Sequence, residues 1–117
     1  MSDLKPVFAA LRSVMAPYGA RLAVKRDTAD EYYVESADTA RNGKPVFFGA
    51  VQVKKGYVSY HLMPVYTHPE LLEGLSSGLK ARMQGKSCFN FKVVDPTLFD
   101  ELAGLTKRSY AVFEAQG

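Results

Sequence analysis

The sequence predicts one α+β domain with two layers, in which an antiparallel sheet of about five strands carries the N- and C-terminal helices on one face. Two observations support this fold. Apolar residues recur at helical spacing near both ends of the chain, whereas they alternate with polar residues through much of the middle. The alternating region also contains a long hairpin sequence with a Lys55-Gly56 turn, and strands joined by such short turns pair antiparallel.

The length and composition fit a single domain over residues 1–117. A chain of 117 residues, of which 47% are hydrophobic and 23% charged, can bury one core but not two. Cys88 is the only cysteine, which excludes an internal disulfide and fits a reducing compartment. The first residues lack a signal-peptide pattern, and no apolar run approaches the ~20 residues that span a bilayer. We therefore expect a cytoplasmic protein without a membrane partner.

The first part of the chain predicts a helix followed by two strands. Apolar residues recur at helical spacing over about residues 3–16, and Pro17 is expected to end this helix. Alternation then predicts strands over residues 20–26 and 31–36, joined by an acidic turn. The small polar residues 37–43 predict a loop that ends in an Asn-Gly turn.

The central hairpin divides its side chains between two faces of the sheet. A turn at Lys55-Gly56 pairs Lys54 with Tyr57 and fixes the pairing of the residues further out. Because side chains alternate along a strand, one face is predicted to join the core. The predicted core face holds Phe47, Gly49, Val51, Val53, Val58, Tyr60 and Leu62. The opposite face holds Phe48, Ala50, Gln52, Ser59, His61 and Met63.

Three further elements complete the predicted fold. Pro69 and the acidic residues after it favour a helix over about residues 69–83, which its glycines weaken, and a helix broken near Ser76-Ser77-Gly78 is the alternative. A strand over residues 87–93 follows, and Asp95-Pro96 begins the last helix. The residues of this strand that are predicted to point inward are Phe89, Phe91 and Val93.

The sheet face away from the helices is the predicted binding face. It is richer in aromatic side chains than solubility requires, which is typical of surfaces that bind a partner; the alternative is an ordinary mixed face. We expect it to bind a protein or a small ligand, and a second copy of the chain is one candidate. The candidate residues are Tyr33, Phe48, Tyr57, His61, Met63, Cys88, Asn90 and Lys92.

Motifs for catalysis and metal binding are weak. Cys88 has only His61 as a basic partner on its predicted face, and a small residue filling a strand position is the ordinary interpretation. His61, His68 and Cys88 lack the close spacing of a metal motif. Gly85-Lys86-Ser87 lacks the upstream glycine of a phosphate-binding loop and leads into a strand rather than a helix. We therefore expect neither an enzyme nor a cofactor.

Charge is distributed unevenly along the chain, whose net charge is +3. Residues 41–69 and 79–94 contain no acid, and this polarity can steer an anionic partner toward one side; solvated lysines that protect sheet edges are the ordinary alternative. Bases could stack on a sheet only if Phe89 and Phe91 faced outward. Because both are predicted to point inward, we do not expect a nucleic-acid partner.

Two segments resemble the YdhG-like family of small bacterial domains. These are Tyr60-His-Leu-Met-Pro64 and Gly85-Lys-Ser-Cys-Phe-Asn-Phe-Lys92, and the resemblance covers about residues 44–110. It implies a frataxin-like α+β fold and mostly unknown function, with an iron-chaperone role named for one branch. Frataxins contact iron through an acidic ridge on the first helix, where this chain has only Asp3. Intracellular iron handling, with a displaced acidic patch between Asp27 and Asp38, is therefore the alternative function.

Overall fold

An antiparallel sheet of six strands forms one layer of the molecule, in the order β1-β2-β3-β4-β6-β5. The computed structural model describes residues 4–36 and 46–116, so the loop predicted at 37–43 lies outside the described residues. The α+β class predicted from the sequence is confirmed. The strands are β1 (Ala23–Asp27), β2 (Glu31–Glu35), β3 (Phe47–Lys54), β4 (Tyr57–Leu62), β5 (Met83–Gln84) and β6 (Cys88–Phe91).

Two long helices form the second layer and pack against each other and on one face of the sheet, which we call the inner face. The face opposite to them is called the outer face. Two short helices and a 3-10 turn at Pro69–Leu72 connect β4 to β5. The helices are α1 (Lys5–Gly19), α2 (Met63–Thr67), α3 (Ser77–Lys80) and α4 (Pro96–Gln116).

Helix α1 buries the apolar stripe that its sequence predicts, including Leu11 and Met15, which are fully buried. The helix does not end at Pro17 as predicted. Proline removes only its own N–H from the ladder, and the N–H of Ala20 still donates to the carbonyl of Ala16 at 3.2 Å. The last residue, Gly19, lies so close to the Tyr32 hydroxyl that a Cβ there would overlap with it.

Helix α4 is capped at its start and joined to the sheet by a buried hydrogen bond. The Asp95 carboxylate accepts from the N–H of Leu98 at 3.1 Å, as expected for an N-cap residue. Further along, the hydroxyls of Tyr60 and Thr106 lie 2.8 Å apart with both residues fully buried. This pairing satisfies two polar groups inside the core and fixes α4 above β4.

The central hairpin has the predicted register. Lys54 pairs with Tyr57, and each residue further out pairs as the turn requires. An inner row therefore crosses the sheet through Tyr32, Val51, Tyr60 and Phe89. All four side chains are buried, which confirms the inward assignment of these strand positions.

One extra residue in β3 overturns part of the predicted face assignment. Val34 pairs with Gly49 and Glu35 pairs with Phe47, so Phe48 is the additional residue of a β-bulge. Phe48 is fully buried, and its ring contacts those of aromatic residues on α4. Phe47 points to the outer face instead. The sequence-based prediction, with Phe47 in the core and Phe48 outside, is wrong because a bulge shifts the alternation by one residue.

The segment between β4 and β6 also differs from the prediction. No helix runs over residues 69–83, since Gly74 has a φ of 82° that an α-helix does not accept. The two-residue strand β5 follows α3 and pairs with β6, which was not predicted. Strand β6 ends at Phe91, so Val93 lies beyond it and is 66% exposed rather than inward.

The bulge makes a direct prediction about the two neighbouring phenylalanines. Phe48→Ala should lower the free energy of unfolding by about 3–5 kcal/mol, because it leaves a cavity between the sheet and α4. Phe47→Ala should cost about 1 kcal/mol, the range of an aromatic contact near the surface. Urea unfolding of both variants measures the difference, and equal losses would contradict the assignment of the two faces.

Candidate functional site

The outer face carries a cluster of three rings, Tyr33, Phe47 and His61, which we call the aromatic cluster. The rings of Tyr33 and Phe47 stack with their centroids 4.8 Å apart at an angle of 25°. The rings of His61 and Phe47 form a T-shaped pair with a centroid distance of 4.9 Å. All three side chains are half-buried, and Ala50 lies buried in the row between Tyr33 and His61. The cluster thus forms a partly exposed apolar surface on a rigid sheet.

The β-bulge creates this cluster. Without the extra residue in β3, the alternation that puts Val51 in the core would turn Phe47 toward the helices. With it, Phe47 lies opposite Glu35 and beside Tyr33 on the outer face. Bulges are known to redirect one side chain next to functional sites.

A hydrogen bond to Ser87 holds the imidazole of His61. The Oγ of Ser87 and the Nε2 of His61 lie 2.8 Å apart, and Ser87 is only 7% exposed. Burial lowers the pKa of His61 below its ordinary value of 6.5, so the ring is neutral at physiological pH. Cys88 lies opposite His61 in the ladder. A serine with so little exposure is poorly placed to attack a substrate, so the bond positions the ring.

The row of outer-face residues next to the cluster is polar. The amide of Gln52 donates to the Glu31 carboxylate at 2.6 Å. Ser59 lies opposite both Gln52 and Asn90, and the amide of Asn90 donates to the side-chain oxygen of Gln84. The outer face therefore combines an aromatic half with a half that offers amides and hydroxyls.

The acidic residues of β1 and β2 lie beside cations. Asp27 accepts two hydrogen bonds from Arg12, the shorter at 2.7 Å, which lowers the pKa of the Asp27 carboxyl. Glu31 lies 3.7 Å from Arg26, and Lys25 stands 3.6 Å from the carboxylate of Glu35. In the two described ranges, no group of three or more histidine, cysteine, aspartate or glutamate residues is arranged to hold a metal ion.

Of the two histidines and the cysteine considered for a metal site, His61 and Cys88 lie together and His68 lies elsewhere. His61 and Cys88 share the outer face, as predicted, and the structure shows them opposite each other in the ladder of β4 and β6. His68 lies at the end of α2, where its Nδ1 is 3.0 Å from the hydroxyl of Thr67. Asp3 and Asp38, two acids considered for iron, lie outside the described residues.

Most of the predicted binding face lies where the sequence placed it. Tyr33, Tyr57, His61, Cys88 and Asn90 are on the outer face. Lys92 follows the end of β6 and is exposed. Two candidates are wrong: Phe48 is a core residue because of the β-bulge, and Met63 is the first residue of α2 rather than a strand residue.

Two outer-face contributions were missed from the sequence. The outward orientation of Phe47 cannot be predicted without the bulge. The sequence does not reveal the bulge, because either of two adjacent phenylalanines can be the buried one. Ser87 lies next to Cys88, and only the pairing of β4 with β6 brings its hydroxyl to His61. In the sequence, the feature that draws attention to Ser87 is its position in the second of the two segments that resemble YdhG-like domains.

The described residues line one cleft beside the two long helices and another on the outer face. The first, of about 540 Å³, lies between the ends of α1 and α4, where the Cζ of Arg21 lies 5.8 Å from the centre of the Tyr110 ring. The second, of about 370 Å³, lies beside β5 on the outer face and is lined by Tyr57, Ala81, Arg82, Met83, Gln84, Asn90 and Lys92.

Comparison with models of protein families, with curated proteins and with solved structures finds no match. The resemblance to YdhG-like domains thus stays a prediction from two sequence segments. None of the helices within residues 4–36 and 46–116 has the length and apolar character needed to cross a bilayer. The function is accordingly inferred from the geometry of the outer face.

The lowered pKa of His61 predicts a pH dependence of stability. In the unfolded chain His61 binds a proton near pH 6.5, whereas in the folded protein it binds the proton only at a lower pH. The contribution of His61 to stability is therefore greatest above pH 6.5, falls as the pH drops from 6.5 toward the folded-state pKa, and levels off below it. Urea midpoints at pH 7.5 and 5.5 should differ for the natural chain and differ less for His61→Gln. An equal loss in both proteins would show that His61 does not cause it.

Proposed function

We propose that the protein is a small, non-enzymatic binding or accessory domain that uses the outer face to hold a partner. The observation that carries this proposal is the aromatic cluster, in which Tyr33 and His61 both contact Phe47 outside the core. On the outer face the ring of Phe47 buries less apolar surface than it would in the core. A partner that covers the cluster gives that arrangement a use.

The form of the cluster suits recognition. Its rings are ordered before any partner arrives, since Tyr33 stacks on Phe47 and Ser87 holds His61. A preordered aromatic surface loses little conformational entropy on binding. Tyrosine is also among the residues that dominate the energy of binding interfaces. A protein or a small ligand with an apolar surface fits this description, and a second copy of the chain is one such protein.

The residues beside the cluster support binding over catalysis. His61 is the base nearest to a nucleophile, but the hydroxyl it contacts belongs to the buried Ser87. A catalytic pair needs a nucleophile that a substrate can reach. Neutral His61 therefore contributes to the aromatic cluster a ring whose nitrogen-bearing edge is polar.

Metal handling, which the resemblance to YdhG-like domains implies, receives less support. An iron site built from carboxylates needs several carboxylate oxygens that converge on one point. Here Asp27 is held by Arg12, and Glu31 and Glu35 each lie near a different cation. An incoming metal ion would have to displace these partners. The binding proposal needs no such rearrangement.

Two matched variants test the proposal. Phe47→Ser removes the central ring of the aromatic cluster, and Tyr66→Ser removes an aromatic ring that is 53% exposed on α2. We expect the natural chain and Tyr66→Ser to retain the same bound partner, and Phe47→Ser to lose it. Native mass spectrometry of each protein, purified from its source cell, measures a bound ligand, a bound metal ion and self-association together.

The spectra separate the alternatives. Equal retention of the partner by Phe47→Ser and the natural chain would contradict the proposal, as would a natural chain that carries no partner at all. A stoichiometric metal ion that survives in Phe47→Ser would support metal handling instead. Urea unfolding of the same samples controls for a loss of fold.

A further inference from the structure

The second cleft places two cations, Arg82 and Lys92, around neutral hydrogen-bonding groups. We call it the basic cleft and define it by Tyr57, Arg82, Gln84, Asn90 and Lys92. Strand β5 and the end of α3 form one wall, and β4 and β6 form the other. Its volume of about 370 Å³ is in the range of sites for small organic molecules.

The charge of the basic cleft is not balanced locally. Within the described part of the chain, neither Arg82 nor Lys92 lies within ion-pairing distance of a carboxylate. The sequence around them, residues 79–94, contains no acid at all. Two cations that line one concave surface repel each other and concentrate positive potential there. An anion bound between them would relieve this repulsion.

The amides of the basic cleft are oriented in advance. Asn90 donates from its side-chain amide to the Oε1 of Gln84, which leaves the NH₂ group of Gln84 and the side-chain oxygen of Asn90 for a ligand. The backbone is fixed as well, since the N–H of Asn90 donates to the carbonyl of Arg82 at 2.7 Å. The cleft thus presents a donor and an acceptor side by side, next to its two cations.

From these features we propose that the basic cleft binds a phosphate monoester of a small polar molecule. A phosphate monoester carries a charge near −2 at neutral pH, which matches Arg82 and Lys92. Arginine binds such a group through two parallel hydrogen bonds. The Gln84 and Asn90 amides and the ring of Tyr57 then contact the organic part. The inference goes beyond the proposed function, because it assigns the outer face a second ligand site apart from the aromatic cluster.

Free small molecules fit better than a nucleic-acid strand. Strand binding uses a row of exposed rings along a basic groove. The two phenylalanines of β6, Phe89 and Phe91, are buried, and Tyr57 is the one ring that lines the basic cleft. The cleft therefore has room and charge for a single phosphate group with its ester.

Titration of the ¹⁵N-labelled full chain with adenosine 5′-monophosphate tests the inference. We expect saturable amide shifts that centre on Tyr57, residues 82–84 and residues 90–92. Inorganic phosphate should bind at the same place but more weakly, and adenosine should produce no saturable shift. Arg82→Gln and Lys92→Gln should each weaken binding by about tenfold or more, because each removes one charged contact. Lys80→Gln, at an exposed lysine outside the cleft, should bind as the natural chain does.

Three results of the monophosphate titrations would overturn the inference. They are the absence of a saturable shift with the monophosphate, equal affinity for adenosine, and unchanged affinity in both cleft variants. Tight, strongly salt-dependent binding of a single-stranded oligonucleotide without mononucleotide binding would also overturn it and favour a nucleic-acid partner. Phe47→Ser should still bind the monophosphate, so loss of the partner in that variant and loss of phosphate binding in Arg82→Gln report on the two proposals separately.

Discussion

The β-bulge in β3 is the constraint on which the rest of the structure depends. It turns Phe48 toward α4, where its ring contacts Tyr110 and Phe113, and it turns Phe47 toward the outer face. A single inserted residue therefore adds a large apolar group to the core and, at the same time, an aromatic group to the opposite surface. Core packing and the candidate binding face have a common origin in this pair of phenylalanines.

The two layers stay aligned through contacts that complement the bulge. The buried hydroxyl pair of Tyr60 and Thr106 joins β4 to α4, and Arg12 joins α1 to β1 through Asp27. Arg12 also lies 4.7 Å from the centre of the Tyr32 ring. Each long helix thus has one polar attachment to the sheet in addition to apolar packing. These attachments keep the sheet in one position, so the side chains of the outer face are presented in a fixed arrangement.

The sequence correctly predicts the orientation of side chains where the same alternation continues through a whole strand. Alternation along β4 and β6 correctly put Tyr60 and Phe89 inside and His61 outside, since neither strand contains an inserted residue. It failed at Phe47 and Phe48, because two identical neighbours give no sign of where a bulge lies. The contact between His61 and Ser87 depends on the register of two strands that are distant in sequence, and no local pattern specifies that register.

The central claim, that Phe47 and Phe48 lie on opposite faces of the sheet, is tested most directly by proton NMR of the natural chain. Nuclear Overhauser contacts between ring protons report distances below about 5 Å, the scale of the aromatic contacts here. The structure predicts contacts from Phe48 to Tyr110 and Phe113, and from Phe47 to Tyr33 and His61. Contacts from Phe47 to Phe113, with Phe48 facing His61, would contradict this assignment of the two rings.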